Sequence, residues 1–224
     1  MKIVPAILAE TFDEFLLRLK QSESFTDYVQ IDIMDGYFVP TTSFQLDKIN
    51  GVKTPLAFEL HLMVKHPSAI MSNISNPGLK KVFFHVESDV KHPDFIKHIK
   101  GKGISAGLAI NPETKFHDFR KIAELVDSIL FLTVDPGQYG SPFRHDVLYK
   151  IADARRIFPD KIISVDGGVS LDNLHLFIDI GVDYVCVGSR IFLDDNPGKR
   201  YRLFKDKIAE IEAGSSGKIP NTQK

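Results

Sequence analysis

Short apolar runs of strand length alternate with amphipathic or charged segments from one end of the chain to the other. The runs at 3–8, 28–33, 56–62, 81–85, 104–110, 128–134, 162–165 and 184–187 are apolar at nearly every position, the pattern of strands buried on both faces. Between them, segments 11–22, 43–49, 67–72, 93–101, 116–125, 143–158, 171–180 and 197–212 read as helices. Terminal residues agree with this division. Thr11 and Glu14 fit a capping box, Pro67, Pro93 and the stretch Ser170-Leu171-Asp172 suit first turns, and Gly101 and Gly181 sit where helices end. Eight strands in strict alternation with eight helices predict an α/β protein folded as a single (β/α)8 TIM barrel, since an open doubly wound sheet normally uses fewer units. The 224 residues give an average repeat of about 28, which suits a compact barrel. Residues 1–212 are expected to form the barrel, and the polar stretch 213–224 a flexible tail.

Composition narrows the function classes. Hydrophobic residues at 43% and charged residues at 25% are ordinary for a soluble globular protein. A formal net charge of −1, with no basic stripe interleaved with aromatics, argues against nucleic acid as a partner. The longest apolar runs fall far short of a membrane span. The opening MKIVPAILAE lacks the long apolar centre and small-residue cleavage site of a signal peptide. The lone Cys186, inside the apolar run DYVCVG, reads as a buried structural thiol. A cytoplasmic location is expected.

Polar groups break the apolar pattern at three strand ends. Asp32 lies in QIDIMDGYFVP just before the Asp35-Gly36 turn, His61 ends LAFELHLMV, and Asp166 ends KIISVDGG. Each alone also reads as a cap or turn residue. A carboxylate inside an apolar strand must nevertheless be paired, hydrogen-bonded or bound to a metal, and the strand ends of a barrel are where its chemistry is built. Asp32 and Asp166, on strands 2 and 7, are placed to flank a planar substrate. One would remove a proton from one face of a carbon next to a carbonyl, and the other would return it to the opposite face. The enediolate so formed needs positive charge nearby, which a divalent metal held by Asp32, His61 and Asp166 would supply. Gly167-Gly168 after strand 7 and Gly188-Ser189 after strand 8 stand where this barrel habitually binds phosphate. Asp135-Pro136-Gly137-Gln138-Tyr139-Gly140-Ser141, after strand 6, is expected to close over the ligand. A small phosphorylated molecule is the predicted partner.

Seven motifs, DIMDGYFVP, HLMV, HVES, GLAINPET, LTVDPG, VDGGV and GSRIF, resemble those of the ribulose-phosphate 3-epimerases in order and spacing, over residues 1–210. The resemblance implies a barrel enzyme of carbohydrate metabolism that interconverts D-ribulose 5-phosphate and D-xylulose 5-phosphate in the pentose phosphate pathway. It implies Asp32 and Asp166 as the paired acid and base, and a divalent metal held by both aspartates and two histidines, of which His61 is one. It also implies phosphate binding by the loops at 137–140, Gly167-Gly168 and Gly188-Ser189. Met34 and Met63, which alone read as core, correspond to methionines near the metal. His85, in the motif HVES, reads as a residue behind the site or in the core. His66, His92, His98, His117, His145 and His175 read as solvated.

The departures from the family pattern are specific. Gln30 stands in place of the other metal histidine and Ala6 in place of a substrate-contacting serine; Tyr139 replaces a glycine. Thr41, Leu132 and Ser164 also differ. An amide oxygen is a poorer zinc ligand than imidazole and suits harder ions better. Weaker binding, a choice among zinc, manganese and iron, or no metal at all is therefore expected. The changes at Ala6 and Tyr139 keep a ketohexose-6-phosphate 3-epimerase in view, and Gln30 keeps in view a sugar-phosphate binder with little catalysis. Barrels of this family are commonly oligomeric, so a homo-oligomer stays open.

Overall fold

All eight apolar runs fold as parallel strands, pair in chain order and close on themselves, β8 against β1. The computed structural model describes residues 1–137 and 141–216. The strands are β1 (Lys2–Leu8), β2 (Tyr28–Met34), β3 (Ala57–Met63), β4 (Leu79–His85), β5 (Ser105–Ile110), β6 (Ser128–Leu132), β7 (Ile162–Asp166) and β8 (Tyr184–Val187). The helices are α1 (Phe12–Ser22), α2 (Pro67–Met71), α3 (His92–Gly101), α4 (Phe116–Ala123), α5 (Val147–Ile157), α6 (Leu174–Asp179), α7 (Ser189–Phe192) and α8 (Pro197–Ser216). The sequence-predicted (β/α)8 barrel is the fold.

Alternation along each strand sorts side chains between two cores. Val29, Ile31 and Ile33 of β2 and Phe58, Leu60 and Leu62 of β3 join the large core between sheet and helices. The intervening Gln30, Asp32, Glu59 and His61 fall on the barrel's interior face. There Val4, Ala6, Phe83, Ala109, Leu130, Leu132 and Cys186 pack as a second, smaller core. Phe83 fills space that Gly107 vacates, since a Cβ on Gly107 would lie 2.3 Å from its ring. At the lower end of the interior, buried Glu59 pairs with Lys81 at 3.1 Å and accepts a hydrogen bond from the Tyr28 hydroxyl at 2.9 Å. Charge pairing thereby satisfies the polar groups at the lower end of the interior.

Several element boundaries differ from the sequence reading. Segment 43–49 is extended and then a 3-10 turn, Leu46–Gly51, rather than an α-helix. α5 starts at Val147, because residues 141–146 form the end of the loop after β6. α6 starts at Leu174: Asn173 uses its side-chain oxygen to accept the Ser170 N–H at 2.8 Å, so Ser170 to Asp172 form a turn before the helix. After α3 the left-handed glycine is Gly103 (φ 73°), while Gly101 remains helical. The short helix α7 was not foreseen. The last helix continues four residues beyond the expected boundary at 212, to Ser216, which places 213–216 in the helix rather than in a tail. Thr11 caps α1 as expected, accepting the Glu14 N–H at 3.2 Å. Among the described residues no helix is long and apolar enough to cross a membrane.

Candidate active site

Register places the polar strand ends side by side. Asp32 on β2 pairs with His61 on β3, and Gln30 lies one interior position below Asp32. Asp166 ends β7, in register with Cys186 on β8. Closure of the barrel then brings β7 across to β2, and one ligand-type atom from each of Asp32, His61 and Asp166 lies within 4.8 Å of the others. The three residues singled out in the sequence are thus in one place.

Four side chains there form a closed ring of alternating donors and acceptors. The Gln30 amide nitrogen donates to Asp32 Oδ1 at 2.8 Å and to Asp166 Oδ2 at 2.7 Å. His61 Nδ1 donates to the same two oxygens, at 3.1 and 3.3 Å. Gln30 is held in this orientation from behind, because its Oε1 accepts the Cys186 thiol hydrogen at 3.1 Å. Carboxylates only accept and a thiol donates, so each end of the amide faces the partner it needs.

A second chain of contacts leads away from the ring. His61 Nε2 lies 2.9 Å from His85 Nε2, and His85 Nδ1 lies 3.1 Å from Glu87 Oε2. Glu87 can only accept, so His85 carries its proton on Nδ1 and presents a lone pair at Nε2 to the Nε2–H of His61. Glu87 is fixed in turn by the Asn111 N–H at 3.0 Å and by the Thr114 hydroxyl. Lys150 of α5 holds that loop, donating to the carbonyls of Asn111, Pro112 and Thr114 at 2.9, 2.7 and 2.7 Å. His85 does lie behind the site, as the sequence suggests. The relay through Glu87 was missed, although period two along β4 puts His85 on the interior face and HVES carries the carboxylate two residues on.

The electrostatics follow from burial and these partners. Burial and the adjoining Asp166 carboxylate push the Asp32 carboxyl up, to about 6. Burial pulls His61 down, but the carboxylates of Asp166 and Asp32 more than reverse this and lift it to about 9. Burial dominates at His85 and holds it near 4, so it is neutral. Burial raises the Cys186 thiol well above its ordinary value, which keeps it protonated and inert.

Above the ring opens a cavity of about 430 Å³, lined by Asp32, His61 and Asp166 and by Gly137, Gly167, Gly168, Gly188 and Ser189. Gln138, Tyr139 and Gly140 lie outside the described residues. Gly167 and Gly168 take left-handed conformations (φ 99° and 64°), and a Cβ on Gly167 would lie 2.3 Å from Val134. Gly137, also left-handed at φ 93°, packs on Val39, and its carbonyl accepts the Thr41 hydroxyl at 2.6 Å. This contact ties the loop after β6 to the loop after β2. Asp35 shapes the latter, accepting the N–H groups of Tyr37, Phe38 and Lys65 at 2.9, 2.8 and 2.7 Å. Met34 and Met63 pack with Val39 in a small buried cluster at the rim, and Met63 reaches the cavity. Arg190 and His145 also line it and were not foreseen as site residues, since neither stands in the apolar pattern. His92, expected to be solvated, is half-buried and bonds to the Val86 carbonyl at 2.9 Å, against the ring of Phe84.

The chain matches the ribulose-phosphate 3 epimerase family over residues 2–192. A Bacillus subtilis protein named ribulose-phosphate 3-epimerase is 30% identical over 200 residues, covering 86% of this chain and 92% of the relative. The chain belongs to the ribulose-phosphate 3 epimerase family. A fission-yeast protein of the same name is 28% identical over 202 residues, covering 88% of this chain and 89% of its own. Among solved structures, 3-hexulose-6-phosphate synthase from Salmonella typhimurium superposes with a TM-score of 0.69 at 18% identity, covering 94% of this chain and 100% of its own. Orotidine 5'-monophosphate decarboxylase from Sulfolobus solfataricus gives 0.64 at 15% identity, covering 94% of this chain and 99% of its own. Both share the fold. As a member of the family the chain is an epimerase-type isomerase.

The metal implied by the resemblance can be tested against the donors of this epimerase-family site. The Asp32–His61–Asp166 cluster offers three ligand atoms close enough together. The fourth corner of the ring is the NH₂ of Gln30, which donates and cannot ligate. Turning the amide to aim its oxygen inward would leave the buried NH₂ against the Cys186 sulfur, a weak acceptor. The four residues as arranged therefore do not fit the four-ligand metal site that the resemblance implies.

Proposed function

We propose that this epimerase-type enzyme interconverts D-ribulose 5-phosphate and D-xylulose 5-phosphate by proton transfer at carbon 3 between Asp32 and Asp166. The observation that carries this reading is two carboxylates, from β2 and from β7, bonded to one amide at the floor of a cavity edged by glycine loops. The ring uses Asp32 Oδ1 and Asp166 Oδ2, and we assign the proton transfers to the other oxygen of each. In one direction the Asp32 carboxylate takes the proton from C3. The electron pair of that C–H bond becomes the C2–C3 double bond, and the carbonyl electrons move to O2 to give the enediolate. Protonated Asp166 then returns a proton to the opposite face of C3, and the reverse reaction exchanges the two roles. The raised carboxyl of Asp32 suits a group that must both take and give a proton near neutrality. Backbone N–H groups at Gly167, Gly168, Gly188 and Ser189 bind the phosphate, with Arg190 adding positive charge beside them.

The relatives' names support the five-carbon substrate. A ketohexose 6-phosphate is the competing substrate, favoured by Ala6, which lines the cavity with a methyl where a hydroxyl would bond to sugar. A cytoplasmic setting is supported by the rice relative named as the cytoplasmic isoform, 29% identical over 205 residues, and by the unpaired Cys186. The experiment is turnover of D-ribulose 5-phosphate and D-allulose 6-phosphate in deuterated water, followed by NMR. Xylulose 5-phosphate carrying deuterium at C3 is the expected product. Product without deuterium at C3, or turnover of the hexose alone, would overturn the mechanism or the substrate respectively.

A further inference from the structure

We propose that this protein's catalytic cluster operates without a resident divalent cation, and that Gln30 and His61, the latter oriented by His85 and Glu87, hold the two carboxylates by hydrogen bonds in the cation's place. This rests on the epimerase reading above. The two ring nitrogens of His61 and the two of His85 link acceptors in a chain: the Asp32 and Asp166 oxygens at one end and Glu87 at the other. Each end requires an N–H, and the 2.9 Å contact between the two Nε2 atoms requires one hydrogen between them. His61 thus turns an N–H toward the two carboxylates, where a metal would need a lone pair.

Gln30 supplies the other duty of a metal, which is to hold both carboxylates in one geometry. Its two amide hydrogens go to the two aspartates, at 2.8 and 2.7 Å. Each engaged carboxylate oxygen thus meets two N–H donors, and the ring is satisfied without an ion. A histidine at position 30 would have to share one N–H between the two carboxylates, as His61 does, or turn a lone pair to a metal, whereas the amide gives each carboxylate an N–H of its own. The amide is therefore the residue type that closes the ring in the absence of a metal. The Cys186 thiol sets its orientation, and Glu87, anchored by Asn111 and Thr114, sets the tautomer of His85 and through it the proton on His61.

Metal binding tests this separately from turnover. The chelated full-length protein is titrated calorimetrically with zinc and with manganese, and metal content is measured after growth in supplemented medium. Substoichiometric metal and no saturable titration are expected. Gln30→His is expected to acquire a stoichiometric ion. A tight stoichiometric ion in the unaltered protein, lost in Asp32→Asn, would overturn the proposal. Nitrogen-15 NMR of labelled histidines gives a readout that depends on neither metal nor folding of a variant. Both nitrogens of His61 are expected to be protonated at neutral pH, and an unprotonated Nδ1 would sink the idea. In kinetics, chelation is expected to leave turnover unchanged. Gln30→Ala is expected to lower kcat about 10–100-fold with little change in KM, and Gln30→His to recover rate only with added metal. Loss of rate on chelation, restored by a metal in the unaltered protein, would also overturn it. Absence of turnover with every sugar phosphate, with no metal bound and His61 doubly protonated, would refute the epimerase reading while supporting the metal-free cluster.

Discussion

At Asp32 the chain accepts the cost of a carboxylate inside an apolar strand, and the structure shows what offsets it. Two N–H donors from Gln30 and His61 meet one of its oxygens. The pattern QIDIM reveals that such partners must exist, and the turn after it reveals that the group is near a strand end. It does not reveal that the donor two residues earlier is a partner, because β2 alone only says that Gln30 and Asp32 share a face. Asp32→Asn is expected to abolish turnover, since an amide cannot take the C3 proton, while leaving sugar-phosphate binding nearly intact. Calorimetric titration with substrate beside a turnover assay checks this, and normal rates would remove Asp32 from the mechanism.

Among the elements, the sequence is most legible where one segment decides its own state. The strands carry continuous apolar runs, and all eight recur within one or two residues of the expected bounds. Segment 43–49 and the starts of α5 and α6 are less legible, because side-chain bonds and loop packing decide them rather than periodicity. The loop after β7 shows this dependence well. Gly167→Ala adds a Cβ at φ 99° that would meet Val134 at 2.3 Å, so a cost of about 1–3 kcal/mol is expected. The raised KM for sugar phosphate should exceed any fall in kcat, as steady-state kinetics will show. Asp127, just before β6, joins neighbouring elements by accepting from Lys100 at 2.8 Å and from the Ala106 N–H at 3.0 Å. Burial raises its carboxyl, and the bonds from Lys100 and Ala106 outweigh this and leave it lowered. A lowered folded value means stability that is present above the unfolded value, near 3.9, and lost as pH falls through the folded one. Asp127→Asn should therefore cost about 0.5–1 kcal/mol at neutral pH, after allowing for its exposure. Denaturant titrations should find that difference shrinking to nothing in acid.

For the whole molecule, closure of the barrel sets two polar clusters one above the other in the interior. The lower interior is held by the buried Glu59–Lys81 pair and the upper by the ring of Gln30, Asp32, His61 and Asp166. Lys81→Ala leaves Glu59 buried without its cation and is expected to cost about 3–5 kcal/mol. Thermal unfolding should register this as a fall of about 10 °C, while KM stays unchanged. The sequence by itself determined the barrel, because eight both-face apolar runs separated by helices have few other ways to bury their surface. It also marked the strand ends whose polar side chains need partners, because a carboxylate or imidazole in such a run must find them. Only the tertiary structure decided who the partners are. The bond from Gln30 to Asp166 spans 136 positions of the chain, and the bond from Cys186 to Gln30 spans 156. No local pattern encodes such pairings; they exist because β8 closes on β1 and carries β7 and β8 round to face β2.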